Sequence, residues 1–418
     1  MAQTPAVRRR IPGVDAARGL ALLGMIATHL AGLVTAHGTE PTVVGLLFAG
    51  KSSALFATLA GVGLALLSGG AGSRAAPHRG PLLAWDRRRV AVRAVLIFVL
   101  GLACGFLDMN VAVILAHYAV LFLAALPFLH LGARALAGWA AGWILFSPVA
   151  ASLLSAAMQS ALGGAAYVDG WRLWSNPTLM DLFARPGLLA WDLLFTGYYP
   201  VLQWLGYVLF GLFLGRLRLE RLSVAGLVAA GGAAVAAVAY LLSRGLQSLP
   251  GVTEALAAGT GAGTRALSAG TGAGTRALSA ELVTGASLST EQVQHLPVWF
   301  TLATPHSGAP LDLVLTCGTS ALVLGACLLL TQVARGALTW PLMPLIGAGA
   351  LPLTLYVGHL VALDVFESAT ADWPRAGLLI AYWVGCLVAG TVFRGFGWRG
   401  PLEWPLARVS GTLAGARP

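Results

Sequence analysis

The chain is a succession of apolar runs, each near the length of a bilayer crossing and each closed by charge, proline or glycine. They fall at 14–36, 46–68, 90–107, 111–131, 136–157, 197–215, 222–243, 311–333, 342–363 and 376–393. About 20 apolar residues are enough for a helix to cross the hydrocarbon core of a bilayer. The pattern predicts an all-α, polytopic integral membrane protein of about 10–11 transmembrane helices, the last of these a half-span within 158–196. Composition agrees: 57% of residues are hydrophobic and 10% charged, where a soluble domain carries about 25% charge. Mean hydropathy is +0.79. These values exclude an ordinary cytosolic enzyme, a disordered chain and a nucleic-acid binder. The first run is too long for a cleavable signal peptide, and no small-residue cleavage site is followed by a soluble domain.

The net charge of +10 is distributed as membrane anchoring, not as a nucleic-acid stripe. Lys51 is the only lysine among 26 basic residues. With the N-terminus in the cytoplasm and the spans alternating, only Lys51, Arg172, Arg185, Arg244, Arg265, Arg276 and Arg375 fall outside. Of the acidic residues, only Asp15, Asp86, Glu220 and Glu403 fall inside. Arginine and lysine are retained on the cytoplasmic side, so the expected topology is N-in and C-in. Residues 1–243 are expected to form an N-terminal bundle. Residues 244–310 would be an extracytoplasmic loop, and 311–418 would complete the same membrane domain. The loop repeats GTGAGTRALSA at 259–269 and 270–280, a composition expected to form no core. Residues 158–196, with Trp171, Trp174 and Trp191, read as an aromatic roof on the outer side.

Ionisable residues inside a bilayer cost on the order of 2.5–3.5 kcal/mol, so each is a functional candidate. The first span holds Asp15, Arg18 and His29, with His37 just beyond it. The second opens with Lys51, the fourth holds His117 and Tyr118, and the ninth holds His359. His306 lies before the eighth, in the run TPHSG. Asp15 and Arg18 are three apart and share a helix face, as a local ion pair or as a grip on a phosphate or carboxylate. Arg18 and His29 are eleven apart, about 16 Å along the axis, which describes one wall of a passage. Imidazole is suited to taking a proton from an amine or hydroxyl near neutral pH. The histidine spacing fits no zinc motif, and no metal is expected. The four cysteines lie in apolar runs without a CxxC, so neither disulfides nor zinc are indicated. No GxxxxGK[ST] loop and no G-x-S-x-G elbow occurs, which argues against an ATP-driven pump and a serine hydrolase.

Several segments carry a resemblance. RRRIPGVDAARGLALLGMIATHL resembles the first span of the heparan-α-glucosaminide N-acetyltransferase-like family, and KSSALFATLAGVGLALLSG its second. VILAHYAVLFLAALPFL, LLFTGYYPVLQWLGYVLFGLFLGRLRL, TPHSG and LPLTLYVGHLVAL are similar to its bacterial members. WRGPLEWPLARVSG resembles the end of a bacterial C-terminal domain of unknown function found with them. The spacing of Arg18 and His29 also resembles a second group of membrane O-acyltransferases, which modify bacterial surface sugars.

The resemblance implies transfer of an acyl group, acetyl above all, from cytosolic acetyl-CoA or another acyl-CoA. The acceptor would be an amine or hydroxyl of a glycan or glycolipid on the extracytoplasmic side of an inner or plasma membrane. The family's key histidine lies in the first outer loop, where His37 is nearest; the second group points to His29. Arg18, with Asp15 orienting it, and Arg87, Arg88 and Arg89 would attract the phosphates of CoA. Lys51 or Tyr118 would supply an oxyanion hydrogen bond, while His117, His306 and His359 are candidates for acceptor contact. A ternary route and an acyl-enzyme both remain open, as does a homodimer. The rival class is a secondary transporter or flippase for a small anion or lipid-linked sugar, with Asp, Arg and His as proton relays.

Overall fold

A computed structural model of the protein describes residues 10–38, 40–69, 76–162, 171–259, 278–279, 282–285, 294, 296–334 and 340–418. The described residues are helical apart from turns and one isolated bridge between Val34 and Pro41. In chain order the helices are α1 (Pro12–Leu30), α2 (Val43–Phe48), α3 (Lys51–Leu67), α4 (Gly80–Cys104), α5 (Leu115–Ala125) and α6 (Ala133–Leu162). Then come α7 (Leu179–Ala184), α8 (Pro186–Trp191), α9 (Val201–Gly215), α10 (Leu222–Gln247) and α11 (Val252–Gly259). The last are α12 (Pro310–Val333), α13 (Met343–Gly349), α14 (Pro352–Val365), α15 (Glu367–Thr370), α16 (Arg375–Gly395) and α17 (Glu403–Leu413).

The chain is an all-α polytopic membrane protein. Among the described residues, five helices are long and apolar enough to cross a bilayer: 43–67, α6, α10, α12 and α16. Two further crossings are bent pairs, 186–215 with a 54° bend and 340–370 with a 77° bend. Each apolar run of the sequence coincides with a helix or a bent pair. The remaining runs became α1, α4 and α5. Helix α5 has 11 residues, and α4 carries Asp86, Arg87, Arg88, Arg89 and Arg93. Helix α1 is buried at 14 of its 19 residues. Helix α1 is enclosed by protein, and the charges of α4 lie in its N-terminal part. The peripheral α16 shows the opposite extreme, with only Leu378, Cys386 and Gly390 buried.

Helix α1 starts at Pro12, whose fixed φ suits a first turn, and Asp15 in that turn complements the helix dipole. It packs against α3, α12, α13 and α16. Gly349 of α13 meets the Asp15 backbone, and Gly347 meets Gly390 of α16, so close that a Cβ at either position would collide. Small residues permit this close helix packing where lipid offers no hydrophobic drive.

One end of the bundle is held by Arg216, which is 5% exposed. Its guanidinium donates to Ala65 O at 2.9 Å, Ser68 O at 3.2 Å, Ser68 Oγ at 3.0 Å, Leu129 O at 2.6 Å and Leu131 O at 3.3 Å. Those acceptors sit at the C-terminal ends of α3 and of the 3-10 turn Leu126–His130. Carbonyls left open at helix ends, together with the negative ends of two helix dipoles, thus neutralise a buried cation.

The same end carries the mouth of the bundle. The GPLEW run places Glu403 Oε1 to accept from Leu353 N at 2.8 Å and Thr354 N at 3.0 Å, while Oε2 accepts from Thr354 Oγ1 at 2.5 Å. Glu403 therefore caps the first turn of α14, and Gly400 is required because a side chain there would strike its carboxylate. Trp85 Nε1 donates to Gly415 O at 2.8 Å, tying the chain end to α4.

The opposite end is roofed by the 171–200 segment. Asn176 accepts from Val113 N and donates to Val111 O, and Asp192 Oδ1 accepts from Leu173 N. The tandem repeat lies largely outside the described residues. Leu278 in its second copy is buried with Leu256, Leu282, Trp299 and Leu302. This corrects the expectation that the repeat contributes to no core, since Leu278 belongs to this apolar cluster.

Arg216→Met removes the guanidinium and leaves five acceptors without their donor. It should lower stability by about 3 kcal/mol, since hydrogen bonds to a charged group contribute about 1.5–3 kcal/mol. Thermal unfolding in detergent should show a lower midpoint, with Arg216→Lys intermediate; an unchanged midpoint would remove this clamp from the account.

Candidate functional site

A cavity of about 950 Å³ opens at the end shared by the start of α1, the start of α4 and the α16–α17 corner. Its rim carries Arg10, Arg18, Arg89, Arg93, Arg394 and Arg399, against the carboxylates of Asp15 and Glu403. Arg18 Nη1 donates to Asp15 Oδ1 at 3.2 Å, and Arg10 Nη1 lies 3.9 Å from Asp15 Oδ2. Arg18 Nη2 also reaches Leu59 O at 3.5 Å, bridging α1 to α3. Glu403 is already committed to capping α14. The mouth therefore carries a large cationic excess, and guanidinium forks suit phosphate oxygens.

Helical geometry decides which arginines of α4 take part. Arg89 and Arg93 are four apart and share the cavity face. Arg87 points elsewhere and donates to Leu126 O at 3.1 Å and Pro127 O at 3.3 Å. Arg88 is exposed, away from the cavity. Of the arginines expected from 87–89, the structure brings only Arg89 to Arg18. Arg10, Arg93, Arg394 and Arg399 complete the ring. The i, i+4 relation of Arg89 and Arg93 was visible in the sequence; the approach of the α16–α17 corner was not.

Deeper in, the walls turn apolar. Phe56 and Tyr118 line the inner end, their rings 5.5 Å apart. The Tyr118 hydroxyl is buried and has no hydrogen-bond partner among the described residues. Phe56 also faces Tyr356, at 6.5 Å between rings, and Tyr356 lies 5.1 Å from the His359 ring. Tyr356 is pinned by Ile114 N, which donates to its hydroxyl at 3.2 Å. His359 Nε2 stands 3.1 Å from Nδ1 of His29. The aromatic series Phe56, Tyr356, His359 thus connects the cavity's inner end to His29, which is half-buried at the far end of α1.

The other sequence candidates lie elsewhere. His37 occupies an exposed turn. Lys51 Nζ donates to Leu46 O at 2.7 Å. His117 is fully buried, its ring 5.6 Å from Tyr199. His306 is exposed, with its ring 5.9 Å from Trp204 and 5.8 Å from Tyr199. It adopts φ +62°, the only positive φ at a non-glycine among the described residues. His117 and His306 therefore meet around Tyr199, apart from the His29–His359 pair. Among the described residues, no group of three or more His, Cys, Asp or Glu is arranged to hold a metal ion.

A family model described as heparan-alpha-glucosaminide N-acetyltransferase, catalytic, matches residues 10–250. The match covers α1 to α10, including Arg18, His29, Phe56, Arg93 and Tyr118. No curated protein and no solved structure matches the chain.

Glu403→Ala should uncap α14, the helix that carries Tyr356 and His359. Losing such a cap costs about 1–2 kcal/mol, seen as a lower unfolding midpoint, with Glu403→Gln keeping part of the effect. A midpoint equal to that of the parent would mean that α14 is held by packing alone.

Proposed function

The chain belongs to the heparan-α-glucosaminide N-acetyltransferase family of transmembrane acetyltransferases, and we propose from that premise that it carries an acyl group from cytosolic acyl-CoA, acetyl-CoA above all, to an amine or hydroxyl of a glycan or glycolipid across an inner or plasma membrane. The observation that carries this reading is the arginine-ringed cavity whose inner end is linked by Phe56 and Tyr356 to the His29–His359 pair. The CoA phosphates sit among Arg18, Arg89, Arg93 and their neighbours, and the pantetheine arm runs inward past Phe56. Tyr118 offers its unpartnered hydroxyl to a carbonyl of that arm. The arginine distribution of the whole chain supports a cytosolic mouth.

Beyond the inner end of the cavity, past Phe56 and Tyr356, His29 acts as general base. The acceptor's lone pair attacks the thioester carbonyl, and its proton passes to His29. The carbon–sulfur bond then breaks with its electron pair on sulfur, and the thiolate takes the proton back from His29 as free CoA leaves. A bound donor and a positioned base convert a bimolecular reaction into a local one. His29 is favoured over His37 because His359, Tyr356 and Phe56 link it to the inner end of the cavity, whereas His37 lies on an exposed turn.

Two tests follow from these assignments. Arg93→Ala should weaken acyl-CoA binding by about 1.5–3 kcal/mol, more at low salt than at high, while Arg87→Ala leaves it unchanged. Equal losses in a binding titration would move the phosphates off the α4 face. His29→Ala should lower turnover of labelled acyl-CoA by about 10²–10⁴-fold with donor binding intact, and His37→Ala should stay near the parent rate. Label retained covalently on the parent protein but not on His29→Ala would replace the base with an acyl-enzyme. Normal turnover in His29→Ala would refute the assignment.

A further inference from the structure

Resting on the reading of His29 as the base, we propose that His359 is a positioning residue that locks His29 in the tautomer protonated at Nδ1, so that the lone pair of Nε2 is the atom presented to the acceptor. The hydrogens can be counted along a short chain of hydrogen bonds. His359 Nδ1 lies 3.3 Å from Leu355 O, one helical turn back on α14. A carbonyl only accepts, so Nδ1 of His359 carries the hydrogen. A neutral imidazole has one N–H, which leaves His359 Nε2 with a lone pair. That nitrogen faces His29 Nδ1 at 3.1 Å. His29 must then donate from Nδ1, and its own Nε2 is left unprotonated.

Ring geometry fits this assignment. The two planes are 13° apart and the centroids 5.3 Å apart. The centroid separation exceeds the nitrogen–nitrogen distance by about the sum of two ring radii. The two nitrogens therefore lie on the line between the ring centres, within the ring planes. The Nδ1–H of His29 points along the in-plane lone pair of His359, as a hydrogen bond requires.

A doubly protonated His359 would reverse the order, but the surroundings oppose it. His359 is 4% exposed, and neither histidine forms an ion pair with an acid among the described residues. An unpaired charge in that setting is costly. In soluble triads a buried carboxylate fixes the tautomer of the base. Here a neutral imidazole does the same within the membrane domain without adding a charge. When His29 takes the acceptor's proton on Nε2, its Nδ1–H remains donated to His359 until the thiolate of CoA removes the Nε2 proton.

The test uses the full chain in detergent with 15N-labelled histidine. In the parent, His29 Nε2 should resonate as an unprotonated imidazole nitrogen, and in His359→Ala the ring should distribute between both tautomers. His359→Ala should lose about 10- to 100-fold in kcat, the range for outer partners that orient a functional imidazole, with acyl-CoA affinity within about twofold of the parent. His359→Gln should recover part of the rate, since its amide oxygen accepts from His29 Nδ1–H. Protonation of His29 at Nε2 in the parent, or an unchanged kcat in His359→Ala, would overturn the proposal. If the tautomer is as stated but His29→Ala turns over normally, the reading of His29 as base fails while the assignment of its hydrogens stands.

Discussion

Burial of α1 fixes the distance on which the site depends. Arg18 and His29 are eleven residues apart on one uninterrupted helix, about 16 Å along its axis. Because α1 packs against α3, α12, α13 and α16, it cannot tilt without breaking contacts that small residues make close. Gly349 against Asp15 and Gly347 against Gly390 leave no room for adjustment. A charged mouth and an imidazole far end are held in a set relation by packing, and the cavity opens from the Arg18 end.

Two kinds of polar group in this bundle differ in how they are satisfied. Arg216, Glu403, Asn176 and the Asp86–His78 pair are saturated by protein partners and hold helix ends and loops together. Among the described residues, Arg93 Nε and the Tyr118 hydroxyl are buried without a hydrogen-bond partner, and both residues line the cavity. In an apolar medium the first kind lowers the cost of folding a chain with charge in it. The second kind is costly unless something else satisfies it, which is the expected signature of a ligand path.

Much of the architecture was legible because each apolar run had the length of a helix and the arginines lay between runs. The bends within 186–215 and 340–370 were not legible, because hydropathy reports the length of a run and not the direction of its axis. Arg18 and His29 stood out as ionisable residues in a hydrophobic run, and their common helix follows from spacing alone. The partner of His29 is 330 residues away in the chain, a separation that no local pattern reports. Arg87, Arg88 and Arg89 read as one cluster, but the 100° turn per residue of a helix sends them in three directions. His37 followed from resemblance to a family loop, and it lies on an exposed turn. Arg216 resembled an ordinary anchoring arginine; its five acceptors come from two elements distant in sequence.

The central claim is that the acyl group, and not the whole donor, passes from the arginine mouth to an acceptor on the other side. The most direct measurement uses purified protein in sealed vesicles, oriented with the mouth outward, with acyl-labelled CoA added outside and a glucosaminide trapped inside. The account predicts labelled acylated sugar inside and free CoA outside. Intact acyl-CoA appearing inside, with the sugar unmodified, would contradict it and identify a transporter instead.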